Sequence, residues 1–153
     1  TEYDVKAAFL FNFARFVTWP DSAFANADER LVIGVIGKDP FGPILRETIQ
    51  DKMAQNRSLT VRNIESSKDI RGCHILFVGA ATREDVSKIV SQVGENPVLT
   101  VSEQDHFCQL GGMVNFVLVS RRVRFEINPH AVERSGLSVS SRLLKLARIV
   151  EDP

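Results

Sequence analysis

The chain is poor in cysteine, tryptophan, tyrosine and methionine, with two, one, one and two copies among 153 residues. Two cysteines cannot staple a fold of this length, so a hydrophobic core must carry the stability, and the length suffices for one domain spanning 1–153. No excess of charge of either sign exists: Lys plus Arg and Asp plus Glu stand at 19 each. A nucleic-acid binder needs surplus positive charge to displace counterions, so the balance argues against that class. A run of about 18 uncharged apolar residues, which a membrane-spanning helix requires, is also missing. The most apolar segment, AAFLFNFARFV, is interrupted by Asn12 and Arg15.

Catalytic and phosphate-binding signatures are lacking too. Gly34, Gly37 and Gly42 follow an apolar run, but their spacing fits neither a dinucleotide fingerprint nor a P-loop, and Pro40 and Pro43 remove backbone donors. No G-x-S-x-G occurs, and Lys145 lies four residues after Ser141, one too many for S-x-x-K. Ser138, Ser140 and Ser141 read as helix caps. Glu103 and Asp105 flank a loop and would suit acid–base work, but such pairs are common on surfaces. Cys73, His74, His106 and Cys108 together offer a Cys₂His₂ set for zinc. Adjacent strand residues point to opposite faces, which separates Cys73 from His74 and argues against a metal site. None of these groupings reaches the standard of a catalytic signature, so we expect no catalysis and no cofactor, with a hydrolase of unrecognised site as the remote alternative.

What is present is a strand–helix alternation. Residues 2–18 read as an amphipathic helix whose aromatic stripe is Val5, Phe9, Phe13, Phe16 and Val17, widened by Leu10 and Phe11 and stopped by Pro20. LVIGVIG (31–37) and CHILFVG (73–79) are continuous apolar runs, the mark of strands buried on both faces. ILRETIQDKMA, from Ile44, and REDVSKIVSQVG (83–94) are the intervening helices. LTVRNI (59–64) is an edge strand and PVLTVSE (97–103) another strand. This order predicts a three-layer Rossmann-like α/β sandwich with a mostly parallel sheet. MVNFVLV and VRFEIN, split by Ser120-Arg121-Arg122, add a C-terminal antiparallel hairpin. Val123, Phe125 and Ile127 form its buried face, while Arg124, Glu126 and Asn128 present polar groups. Arg121, Arg122 and Arg124 at its tip read first as an ordinary solvated turn, with a local basic patch as the alternative. Pro129 starts a short helix ended by Gly136, and SVSSRLLKLARIV makes a closing helix.

Cys73 and Cys108 sit near neighbouring strands. They would either close a loop of about 35 residues, worth on the order of 3–4 kcal/mol, or remain two buried thiols.

KAAFLFNFARFVTWP, LTVSEQDHF, GGMVNFVLVSRRVRFEIN and GLSVSSRLLKLARIV, in this order, resemble the YfiR family of small periplasmic regulators. The resemblance runs from Val5 to Val150. It implies an exported Rossmann-like protein, periplasmic once its signal peptide is removed, that tends to dimerise and has no established catalysis. In that family the founding member represses an inner-membrane diguanylate cyclase through its periplasmic sensor domain, and an outer-membrane lipoprotein sequesters the repressor. The match carries Phe116, Arg124, Phe125, Glu126 and Asn128 over as partner-binding residues. It also implies a disulfide between Cys73 and Cys108, since the redox state of the family's cysteines affects folding and repression. The founding member has a second cysteine pair that this chain lacks. The expected function is therefore repression of a diguanylate cyclase, controlling cyclic-di-GMP and biofilm formation. The alternative is a small-molecule binder whose cleft lies at the strand C-termini, bordered by Lys38, Asp39, Thr82 and Glu103.

Overall fold

The computed structural model describes residues 1–79 and 82–151. The apolar runs form strands as expected: β2 (Leu31–Gly37), β4 (Arg57–Ile64), β5 (Ile75–Gly79) and β6 (Leu99–Ser102). With β7 (Val114–Val119) they lie parallel in the order β7-β6-β5-β2-β4. β8 (Arg122–Ile127) returns antiparallel to β7, pairing Phe116 with Phe125 and Asn115 with Glu126. The result is the α/β sandwich read from the sequence, with a mostly parallel sheet and a C-terminal hairpin.

Alternation within each strand splits the core in two. Ile33, Val35, Ile75, Phe77, Val101 and Phe125 face α1 (Glu2–Phe16) and α2 (Ile44–Ile49). Ile36, Leu76 and Val78 face α3 (Arg83–Val93), whose Val86, Ile89 and Val93 are buried against them. Burial on both faces is what makes these strands uniformly apolar.

Several boundaries differ from the sequence reading. The helix from Ile44 ends at Ile49, and Met53–Ala54 forms β3, a short antiparallel partner that takes the sheet edge from β4. α1 stops at Phe16, since Val17–Thr18 forms β1, and its stripe is rotated: Lys6, Ala7, Leu10, Phe13 and Ala14 are buried, while Val5 is 43% exposed. The closing helix does not form. After α4 (Pro129–Arg134), β9 (Ser138–Val139) pairs with β1, only Ser141–Leu144 is helical (α5), and β10 (Arg148–Ile149) joins the edge of β8. Val139, Ile149 and Val150 are β-branched, and backbone pairing at two open strand edges outweighs the modest helix propensity between them.

Candidate functional site

The C-terminal ends of β2, β5 and β6 open into a cleft of about 790 Å³, roofed by the start of α1 and the outer half of β7. Backbone comes unusually close here: a Cβ on Gly79 would stand 1.9 Å from the Lys38 carbonyl, so only glycine fits. Lys38 and Glu103 line the cleft, as expected. Asp39 instead turns onto its own loop, accepting the Phe41 N–H at 2.8 Å, and Thr82 caps α3 by accepting the Asp85 N–H at 3.1 Å.

At the cleft's centre lies a group that sequence patterning missed. Lys6 is 3% exposed, although it occupies the apolar side of α1. Its Nζ donates to Glu2 Oε2 at 2.6 Å and to Glu103 Oε2, and lies 4.8 Å from the Tyr3 ring centroid. Tyr3 donates its hydroxyl to both Glu103 oxygens, at 3.0 and 3.2 Å. Burial works against the ammonium charge, but the hydrogen bonds to Glu103 and Glu2 outweigh it and raise the Lys6 pKa. Burial, then the Glu103 carboxylate, raise that of Tyr3. A lysine at i+4 from a glutamate is an ordinary surface pair in a sequence. Only the distant Glu103 makes this one a buried network.

The five residues carried over as partner-binding lie in the β7–β8 hairpin or directly after it. Phe116 and Phe125 are buried against Phe9 and Phe13, with Phe13 stacked on Phe116 at 5.9 Å and edge-on to Phe125 at 5.2 Å. Glu126 is buried and ion-paired with Arg148 of β10. Asn128 is buried, caps α4 through the Ala131 N–H at 3.2 Å, and donates its amide to the Cys108 carbonyl. These four hold the hairpin to the body of the protein. Arg124 alone is exposed.

Cys73 and Cys108 are separate free thiols, and the implied bridge is not formed. Cys73 Sγ lies against Gly34 of β2 and accepts from Arg62 of β4 at 3.3 Å. Cys108 Sγ donates to the Met113 carbonyl at the start of β7, and Glu126 of β8 acts on it electrostatically. β5 and β6 separate these strand pairs, and with strands spaced about 4.8 Å the two sulfurs lie beyond disulfide reach. Burial, with the Glu126 charge second, pushes the Cys108 pKa up to about 12.

His74 is committed elsewhere. Nδ1 accepts the Val32 N–H at 3.0 Å, Nε2 contacts the Ala23 carbonyl at 3.0 Å, and the ring stacks on Phe24. His106 is exposed. Among the described residues no group of three His, Cys, Asp or Glu side chains is placed to hold a metal.

The hairpin wedged by Phe116 and Phe125 and the cleft lined by Lys6 and Glu103 both lie within one family match. The profile of the YfiR/HmsC-like family matches residues 3–148. The chain belongs to this family. The match takes in every element from α1 to the start of β10, so the cleft and the hairpin both belong to the YfiR/HmsC-like unit. No helix among the described residues is long and apolar enough to cross a membrane.

Proposed function

We propose that the protein is a periplasmic, non-enzymatic regulator that binds the sensor region of an inner-membrane diguanylate cyclase and represses it, lowering cyclic-di-GMP and restraining biofilm formation. The observation that supports this reading is the YfiR/HmsC-like match over residues 3–148. In this reading the protein acts as a dimer, and an outer-membrane lipoprotein relieves repression by sequestering it. In this reading Arg124, the exposed member of the five hairpin residues, meets the partner, and the buried Phe116, Phe125, Glu126 and Asn128 hold the hairpin that presents it. Deleting the gene from its bacterium should raise cellular cyclic-di-GMP, and an exported copy should restore the level. Unchanged cyclic-di-GMP on deletion refutes the proposal.

The cleft favours a second reading, in which a small ligand binds at the strand ends. Its place at the C-terminal ends of parallel strands is where open α/β sheets take ligands, and its volume suits a metabolite. A melting-temperature screen of metabolites against the wild type and Lys38→Ala tests it. A hit whose shift disappears in the variant supports the reading, and a flat response across a broad library counts against it.

A further inference from the structure

A second groove, of about 650 Å³, runs between the start of α1 and the tip of the β7–β8 hairpin. Its floor is apolar, built from Val5, Phe9, Leu118 and Val123. Val5 is 43% and Leu118 54% exposed. Exposed apolar side chains grouped in a concavity, with polar residues at the rim, are the pattern of an interaction site.

The rim is basic. Arg121, Arg122 and Arg124 all line the groove and are exposed, and among the described residues none of the three is ion-paired. Arg124 places one guanidinium N–H on the Val123 carbonyl at 3.2 Å. The acid that lines the groove, Glu2, is already held by Lys6. Three unneutralised arginines on one hairpin tip are not a reflection of composition, because the chain's formal net charge is zero.

The turn that carries them is strained. Ser120 and Arg121 have φ of 50° and 67°, the left-handed region at both central positions of the hairpin turn. Asn-Gly fits such a turn without strain, whereas an ordinary L-residue placed there is held in a disfavoured conformation. Strain of this kind is commonly retained where the side chain has work to do, and here it sets Arg121 over the groove.

We infer that this groove binds an acidic polypeptide segment in which apolar side chains alternate with Asp or Glu. The apolar side chains fill the Val5–Leu118 floor, and the carboxylates meet the three guanidinium groups, whose planar forks suit bidentate pairing. A concave floor accepts a projecting chain. A lipid surface, flat on this scale, would touch only the hairpin tip. The inference rests on the reading of this protein as one that acts by binding a partner, and the segment would belong to that partner.

The test uses the whole chain and a short synthetic peptide of alternating Glu and Leu, followed by backbone-amide NMR at low salt. Two control peptides replace Glu by Lys or Leu by Ser, and vesicles of phosphatidylglycerol and phosphatidylethanolamine form a separate arm. The Glu–Leu peptide should shift the amides of Val5, Phe9 and residues 118–124. Its affinity should fall about tenfold or more in the Arg121→Glu/Arg124→Glu variant, severalfold in Leu118→Ser, and further as salt rises. The Lys peptide should not bind, and the Ser peptide should bind more weakly. No shift with the Glu–Leu peptide, shifts confined to other surfaces, equal binding of the Lys peptide, or perturbation of the tip by vesicles alone would each overturn the inference. If deletion raises cyclic-di-GMP while the peptide stays silent, the groove assignment fails and the regulatory reading stands. Peptide binding with unchanged cyclic-di-GMP means the reverse.

Discussion

His74 ties the 21–30 loop to the sheet through both ring nitrogens, and that task requires a neutral ring, because Nδ1 must accept from Val32. Burial lowers its pKa, and the Ala23 carbonyl and Glu29, which favour the charged ring, do not offset this. A histidine less basic folded than unfolded lets the unfolded chain bind the extra proton. Its contribution is therefore complete above pH about 6.5 and is lost as pH falls below that value toward the folded pKa. Melting temperature should drop between pH 7 and pH 5, and His74→Gln should flatten that part of the profile. Tyr3 gives a second readout at this scale, because it is the chain's single tyrosine. Its ultraviolet titration should have a midpoint above 10.0, and Glu103→Gln should move it down by removing both the hydrogen bond and the nearby charge. Cys108, with its pKa pushed up to about 12, and the buried Cys73 should resist thiol reagents at pH 8 in the native protein. Unfolding without reductant should release two titratable thiols, and a count of none would establish a bridge.

At the scale of elements, β10 is the piece whose role is least expected. Two residues of strand could hardly persist alone, yet Arg148 supplies the ion pair to the buried Glu126, while the Val150 N–H bonds the Ile127 carbonyl at 2.8 Å. Arg148→Ala should cost roughly 1–3 kcal/mol in urea unfolding, because it leaves a desolvated carboxylate unpaired, discounted for an arginine that is itself largely exposed. Glu126→Gln should cost less. What the sequence made legible follows from the same physics. LVIGVIG and CHILFVG announced central strands because burial on both faces allows no polar residue, and Val123, Phe125 and Ile127 announced the inner face of β8 by alternation. SVSSRLLKLARIV misled because its leucines fit a helix in isolation, whereas its fate was decided by the open edges of β1 and β8, more than a hundred and about twenty residues away. The burial of Glu126 and Lys6 was likewise hidden, since each depends on one partner remote in sequence.

For the molecule as a whole, one core on each side of the sheet fixes the helices and the hairpin to the strands. Phe9, Phe13, Phe116 and Phe125 lock α1 to the hairpin, so the tip arginines and the apolar groove keep a fixed relation to the rest of the fold. That fixed relation suits the proposed role, in which the protein's output is occupancy of another protein. The most direct measurement reconstitutes the membrane diguanylate cyclase proposed as the partner in bilayer discs and follows conversion of GTP to cyclic-di-GMP as this protein is added. Turnover should fall in a saturable manner and recover when the Arg121→Glu/Arg124→Glu variant replaces the wild type. Turnover that stays constant in a large excess of folded wild-type protein would contradict the account.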